Sequence, residues 1–232
     1  QTLAGIRSVL DEQGAELIGG HTMESRSTSP MPTSLGVQIT LTVNGNSSAP
    51  PWLKSGLRIG DALLISRPLG TGVLFAGAMT GASKAADLDA ALRGMARSQH
   101  TLLQQLAPLR EGIHACTDIT GFGLLGHLGE MLQNTQELTI QLDGAAIPAY
   151  PGALELFERG FSSTLAPSNR SAWQWLESTV QLQQPPSAAL LELLVDPQTC
   201  GPLLLACSSD AATQLTRSGP WIQIGSAAAA HG

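Results

Sequence analysis

The chain has 232 residues, which suffices for one large or two small domains with a sizeable buried core. Its formal net charge of -6 argues against a nucleic-acid-binding scaffold, because such proteins usually present a basic face. Charged residues make up only 13% of the chain, so we expect tight packing and surface that is covered in an oligomer.

The first part of the chain mixes apolar and polar patterns. Apolar residues at helical spacing predict a helix that starts near Leu3. The short apolar run 15–18 predicts a buried strand, and strict alternation over 36–43 predicts a half-buried strand of an antiparallel sheet. Residues 44–51 are polar and proline-rich, as in a linker, and we place a domain boundary between residues 49 and 50.

Beyond this boundary helical and strand patterns alternate along the chain. The predicted strands are 61–66, 113–117, 138–142 and 221–224. The predicted helices are 73–79, a long region 88–106 with its own breaks, a helix that ends near 133, 153–159 and 210–216. The segment 172–180 is ambiguous, and the small residues of 226–232 predict a frayed tail. This order predicts an α/β fold, or an α+β fold with helices on the faces of a sheet.

The cysteines and the distribution of apolar residues indicate the cellular compartment of the protein. Cys116, Cys200 and Cys207 are an odd set without a CxxC pair, which favours a reducing compartment and indicates no zinc site. The sequence contains no run of about 18 apolar residues and no charged-then-apolar leader. We therefore predict a cytoplasmic protein without a membrane span. Because a helical pattern starts almost at Gln1, we expect the chain to be the latter part of a longer protein.

The strongest chemical signal is the segment 116–128, Cys-Thr-Asp-Ile-Thr-Gly-Phe-Gly-Leu-Leu-Gly-His-Leu. Asp118 can supply one oxygen to Mg²⁺, which takes one or two protein carboxylates and leaves its other positions to water and phosphate. Gly121 and Gly123 let backbone N–H groups face an anion, and the following helix adds its positive dipole end. The alternative is a helix start that Asp118 or Thr120 caps, which the segment taken alone favours.

Three further segments have a structural and a chemical interpretation. Gly19, Gly20 and His21 follow a predicted strand and form either an ordinary turn or a grip on phosphate oxygens. Pro-Leu-Gly-Thr-Gly at 68–72 lacks the Lys-Ser/Thr end of a Walker loop, which favours a turn. Asp-Pro-Gln-Thr-Cys-Gly at 196–201 either presents polar atoms to a pocket or fixes the chain as a turn.

The order and spacing of these segments resemble the selenide, water dikinase family, the selenophosphate synthetases. Leu-Lys-Ser-Gly at 53–56 and Gly-Asp-Ala-Leu at 60–63 belong to the same pattern. The resemblance covers almost the whole chain and implies the aminoimidazole ribonucleotide synthetase-like fold. It implies that residues 1–49 are a remnant of an N-terminal ATP-binding and dimerisation domain, with its last helix and strands. Residues 50–232 would be the C-terminal α/β domain.

The resemblance also implies an activity. Enzymes of this family make selenophosphate, AMP and orthophosphate from ATP, selenide and water, with Mg²⁺ as cofactor. Asp118 is similar to a carboxylate that binds Mg²⁺, and Gly19, Gly20 and His21 match a segment that contacts ATP from the dimer partner. The expected partners are therefore ATP, selenide and a second copy of the chain, with no nucleic acid and no membrane.

Some family residues have no counterpart in this chain. The catalytic Cys or selenocysteine, its neighbouring Lys and two more metal-binding aspartates lie near the family's N-terminus, so we expect them upstream of Gln1. Arg67 stands where Lys is usual, and Pro202 replaces the second glycine of a Gly-Gly pair; both are expected to be structural. Phosphoryl transfer needs several convergent charges, so this chain alone is expected to be inactive.

Two other functions stay open on the sequence. One is a related ATP-dependent synthetase or maturation enzyme of the same superfamily. The other is a non-catalytic domain kept for dimerisation or regulation. His127 lies within an apolar helical pattern and is expected to be a packed, hydrogen-bonded histidine in each case.

Overall fold

The computed structural model describes residues 1–22, 39–47, 49–133 and 137–230. The chain divides into two compact units, residues 1–51 and 52–232. The predicted origin of the first unit, a remnant of an ATP-binding and dimerisation domain, stays a prediction.

Among its described residues, the first unit contains one of the three elements predicted for it. Helix α1 (Thr2–Glu12) confirms the opening helix, and Gly14, two residues beyond its end, has a φ of +62°. Residues 15–18 are exposed and form no strand, so that prediction was wrong. Residues 39–43 are likewise exposed without strand structure, and 36–38 lie outside the described residues. A strand needs a hydrogen-bonded neighbour, and within the described ranges nothing pairs with either segment.

The second unit is built on one sheet. In its described residues six strands are arranged in the order β2-β5-β1-β6-β3-β4, and every pairing is antiparallel except that of β3 with β4. The strands are β1 (Ala62–Ile65), β2 (Ile113–Asp118), β3 (Leu138–Leu142), β4 (Val180–Leu182), β5 (Leu203–Cys207) and β6 (Ile222–Ala229).

Helices cover both faces of this sheet. They are α2 (Thr71–Met79), α3 (Ala85–Ala96), α4 (His100–Leu106), α5 (Gly123–Met131), α6 (Ala153–Glu158), α7 (Ala166–Leu176), α8 (Ala188–Val195) and α9 (Ser209–Ser218). Leu63 and Ile65 of β1 pack on the side of α2, α5, α6 and α8, whereas Ala62 and Leu64 pack on the side of α4 and α9. Both faces of β1 are buried, which explains its unbroken apolar sequence. The predicted α/β class is confirmed.

Several boundaries differ from the prediction. The region 88–106 is interrupted at residues 97–99, where Arg97 adopts an extended conformation. The frayed tail was wrong, because β6 continues to Ala229 between β1 and β3. The Ala227 N–H donates to Asp61 O at 2.8 Å, and Ala227 is buried. Small side chains there fit a covered strand, and composition alone does not distinguish this from a loose end.

Candidate functional site

Asp118 is the last residue of β2, at the edge of the sheet, and its side chain is exposed. Its neighbour across the pairing is Leu203 of β5. Within the described ranges, no donor bonds to the Asp118 carboxylate. An exposed carboxylate without an internal partner is available to a cation, and carboxylate oxygen is a ligand that Mg²⁺ accepts.

The backbone that follows Asp118 is held from its inner side. Ile119 is fully buried, and its N–H donates to Pro202 O at 2.8 Å. The Thr120 carbonyl accepts the N–H of Gln198 at 2.9 Å and that of Gly123 at 3.1 Å. The segment that precedes β5 therefore sets the conformation of the turn that carries Asp118.

Two donors at the tip of this turn stay open. The N–H groups of Gly121 and Phe122 have no acceptor within the described part of the chain. No side chain caps α5, so the predicted alternative of a cap from Asp118 or Thr120 was wrong. The first N–H groups of a helix lack partners inside the helix and attract anions. One short segment thus offers a cation ligand and anion donors together.

Asn169 holds the same turn from α7. Its side-chain amide Nδ2 donates to Gly121 O at 2.8 Å and to Val195 O at 2.9 Å. Gly123 has a φ of +68°, and a Cβ there would lie 2.8 Å from the backbone carbon of Val195. Only glycine allows this approach of the turn to the end of α8. The sequence offered no role for Asn169, since its two acceptors are backbone atoms of distant segments.

His127 is buried and hydrogen-bonded, which confirms its predicted role. Only 3% of its surface is exposed. Its Nε2 accepts the Thr120 N–H at 3.0 Å, and its Nδ1 lies 2.8 Å from Glu130 Oε2. Glu130 is in turn paired with Lys54. Sequence reasoning missed Glu130 and Lys54, although His and Glu three positions apart on one helix are neighbours.

The Gly-Thr-Gly loop before α2 is not open to phosphate. Gln198 is buried, and its Oε1 accepts the N–H of Gly70 at 3.0 Å and the N–H of Thr71 at 3.2 Å. The Thr71 hydroxyl donates to the same oxygen at 3.1 Å. Internal acceptors already occupy these donors, so the segment has a structural role and not a phosphate-binding one. The predicted turn itself was wrong, because Leu69 forms a bridge with Ala149 and Thr71 and Gly72 begin α2. The Asp-Pro-Gln-Thr segment serves to fix the chain, as its second interpretation predicted.

Asp196 adds further hydrogen bonds between the segment 196–201 and the start of α2. Its Oδ2 accepts the N–H of Gly72 at 3.0 Å and that of Val73 at 3.3 Å. Its Oδ1 is buried and has no partner in the described residues. Burial, only partly offset by these bonds, raises the pKa of Asp196 to about 7.

We expect the second unit to lose stability as the pH rises from about 4 to about 7. The pKa of Asp196 is about 7 in the folded chain and near its ordinary value of about 3.9 in the unfolded chain. Its contribution is therefore complete below the unfolded pKa and is lost as the pH rises through the folded one. The steepest slope is about 1.4 kcal/mol per pH unit.

Urea denaturation at a series of pH values measures this dependence. Asp196→Asn, which cannot ionise, should flatten the curve, whereas Asp210→Asn at an exposed position should leave it unchanged. An equal slope in the native chain and in Asp196→Asn would contradict the assignment.

Arg67 has the structural role expected of it. Its Nη1 donates to Gly94 O at 2.9 Å and to Cys200 O at 3.1 Å, and its Nη2 donates to Arg97 O at 3.0 Å. Three backbone carbonyls from two separate segments thus converge on one guanidinium group. The planar fork of arginine suits this arrangement better than a lysine ammonium group.

Two of the three cysteines, Cys116 and Cys207, are poorly suited to act as nucleophiles. Burial, with a smaller contribution from Asp118, raises the pKa of Cys116 to about 11. Burial, with a smaller contribution from Asp61, raises the pKa of Cys207 to about 12. Both side chains are thiols at neutral pH, and a thiol is a poor nucleophile. Cys200 is exposed and has a φ of +48°.

Gly19, Gly20 and His21 lie in the first unit, in an exposed segment without regular structure. Among the described residues, a Cβ at either glycine would meet no atom within 4 Å. Packing against the described part of this unit therefore does not explain the two glycines. Asp118 belongs to the second unit, and the role of the three residues in binding ATP stays a prediction.

The second unit coincides with a known protein family. The family described as AIR synthase related protein, C-terminal domain, matches residues 58–230. The chain belongs to this family. The match includes the Asp118 turn, the Gly-Thr-Gly loop and the Asp-Pro-Gln-Thr segment that holds them. This membership agrees with the fold expected from the resemblance.

This family member is similar to selenide, water dikinases. It is 32% identical over 221 residues to the enzyme of Bdellovibrio bacteriovorus, covering 93% of this chain and 58% of that protein. It is 34% identical over 219 residues to the enzyme of Desulfitobacterium hafniense strain DCB-2, covering 94% of this chain and 59% of that protein. The chain therefore spans under two thirds of the length of these relatives.

Among solved structures, this family member is similar to a thiamine-monophosphate kinase from Stenotrophomonas maltophilia K279a. The identity is 18% and the TM-score is 0.49, over 76% of this chain and 50% of that chain.

In the described residues, no helix is both long and apolar enough to cross a membrane.

Proposed function

We propose that this chain is part of an ATP-dependent selenophosphate synthetase. The reaction converts ATP, selenide and water into selenophosphate, AMP and orthophosphate. The observation that carries the proposal is the Asp118 turn, where the Asp118 carboxylate and the N–H groups of Gly121 and Phe122 have no partner among the described residues. The similarity to selenide, water dikinases over more than nine-tenths of the chain supports the choice of reaction.

Asp118 is suited to bind Mg²⁺ that arrives together with a nucleotide. The described residues contain no group of three His, Cys, Asp or Glu side chains placed to hold a metal ion. Mg²⁺ that arrives with a nucleotide needs only one or two protein carboxylates, because phosphate oxygens and water fill its other positions. Bound there, Mg²⁺ would neutralise phosphate charge. Asp118 would hold it, and the Gly121 and Phe122 N–H groups would bind a phosphate oxygen.

Gly19, Gly20 and His21 are the proposed contact with the ATP phosphates. Their exposure leaves the backbone N–H groups and the imidazole available to a ligand. The family resemblance supports contact with ATP on a second copy of the chain, which would make the active unit a homodimer. We also place the protein in the cytoplasm, because its three cysteines are unpaired, as in a reducing compartment.

The proposed function is tested by placing this chain in a complete relative. In the test protein, the chain replaces the matching residues of the Bdellovibrio bacteriovorus selenide, water dikinase. We expect this chimaera to form AMP and selenophosphate in a selenide-dependent reaction, followed by chromatography and ³¹P NMR. We expect no AMP from the 232-residue chain alone, because phosphoryl transfer needs more convergent charge than Asp118 supplies.

The unmodified relative is the positive control in the same assay. AMP formation by the isolated chain when selenide is added would contradict its expected inactivity. ATP hydrolysis by the chimaera at a rate that selenide does not change would count against the proposed reaction.

A further inference from the structure

The bonds around His127 determine where its ring proton lies. A backbone N–H can only donate, so the 3.0 Å bond from Thr120 N requires a lone pair on Nε2. The Thr120 hydroxyl lies 3.3 Å from the same nitrogen and competes for the same lone pair. The ring is therefore neutral and carries its proton on Nδ1. That proton is donated to Glu130 Oε2 at 2.8 Å.

Lys54 forms an ion pair with Glu130. Its Nζ donates to both carboxylate oxygens, at 3.1 Å and 3.2 Å. The adjacent Leu53 carbonyl accepts the Cys116 N–H at 2.9 Å, so Lys54 lies beside β2. A chain of hydrogen bonds thus runs from β2 through Lys54, Glu130 and His127 to Thr120, two residues beyond the end of β2.

This chain of hydrogen bonds holds the Asp118 turn from the side that faces α5. Gln198 and Asn169 bond to carbonyl groups of the turn, at Thr120 and Gly121, whereas His127 accepts the Thr120 N–H. The exposed ring of Phe122 lies against the imidazole, with ring centroids 5.9 Å apart. His127 is also largely buried, so solvent cannot readily replace the bond it accepts.

We propose that His127 is a positioning residue for the Asp118 turn. As the neutral Nδ1–H tautomer, held by Glu130 and Lys54, it orients the Thr120 peptide. It thereby sets the direction of the Asp118 carboxylate and of the open N–H groups of Gly121 and Phe122. The value of this direction for binding Mg²⁺ and phosphate rests on the function proposed above.

Two matched substitutions of His127 show whether the hydrogen bond from the Thr120 N–H is needed, or only a polar side chain at this position. The amide of glutamine can place an acceptor near the position of Nε2, whereas the shorter amide of asparagine reaches only the position of Nδ1. We expect His127→Gln to retain the bond from Thr120 and His127→Asn to lose it. Hydrogen exchange of the Thr120 amide in the 232-residue chain should be about tenfold faster in His127→Asn and near native in His127→Gln.

A measurement on the unsubstituted chain keeps the proposal testable if a variant fails to fold. Nitrogen-15 NMR of the imidazole should show a protonated Nδ1 and an unprotonated Nε2. The opposite tautomer, or equal Thr120 exchange in the Gln and Asn variants, would overturn the positioning role.

The functional consequence is measured in the chimaera. The Mg²⁺ concentration for half-maximal selenophosphate formation should rise about tenfold in His127→Asn and return towards the native value in His127→Gln. An unchanged Mg²⁺ requirement in both variants would overturn the link between His127 and the metal. If Asp118→Asn also leaves the Mg²⁺ requirement unchanged, the proposed function fails, while the exchange and tautomer results still decide the positioning role.

Discussion

Asp118→Asn should abolish selenide-dependent AMP formation by the chimaera, with a loss of about 100-fold or more. The amide keeps the shape of the side chain but removes the negative charge that makes a carboxylate a strong ligand of Mg²⁺. Because Asp118 is exposed and its carboxylate has no partner in the described residues, the free energy of unfolding should change by less than about 0.5 kcal/mol. Activity and stability should thus separate in one variant.

Asp210→Asn is the matched control, since Asp210 is an exposed aspartate at the start of α9. It should retain native activity in the same selenophosphate assay. Native activity in Asp118→Asn would remove Asp118 from the metal site. A large drop in its unfolding free energy would instead assign it a structural role that its exposed position does not predict.

Gln198→Ala should cause the largest loss of stability among the substitutions considered. Both ends of the Gln198 amide are used, because its Nε2 donates to Asp196 O at 2.8 Å and to Asp196 Oδ2 at 3.0 Å. Its removal leaves the buried N–H groups of Gly70 and Thr71 without this acceptor. Each unsatisfied buried group costs about 1–3 kcal/mol, so we expect a total of about 3–5 kcal/mol.

Urea denaturation of the 232-residue chain measures this loss. Gln184→Ala is the control, because Gln184 is exposed and its replacement should change the unfolding free energy by less than about 0.5 kcal/mol. A similar small effect in both variants would show that other contacts hold the loop before α2. The turn that carries Asp118 would then not depend on this amide.

Much of the second unit was predictable because its elements have strong local patterns. The alternation of Leu138–Leu142 and the apolar run of β1 identify strands whether or not their neighbours are known. The same reasoning failed for residues 15–18 and 39–43, which have strand-like sequences without a strand neighbour in the described residues. It also failed for residues 226–229, where a serine and three alanines continue β6 beyond the predicted strand 221–224.

The candidate site shows the same division between local and distant information. The types of its residues were predictable, since a carboxylate followed by two glycines and an apolar helix is a local pattern. The acceptors and donors that hold them were not. Asn169, Gln198 and Lys54 reach the turn or its supports from other elements, and no spacing along the chain relates them to it.

The sequence by itself determined β1, β2, β3 and most of the helices of the second unit, and the segment in which a candidate metal ligand and candidate anion donors follow one another. These features depend on the residues within one turn or strand. The tertiary structure alone decided which glycine-rich loop is open. Buried side chains bond to the N–H groups of Gly70 and Gly72, whereas those of Gly121 and Phe122 have no acceptor in the described residues. The acceptors of the first loop, Gln198 and Asp196, are distant in the sequence, so only the folded chain shows which N–H groups they occupy.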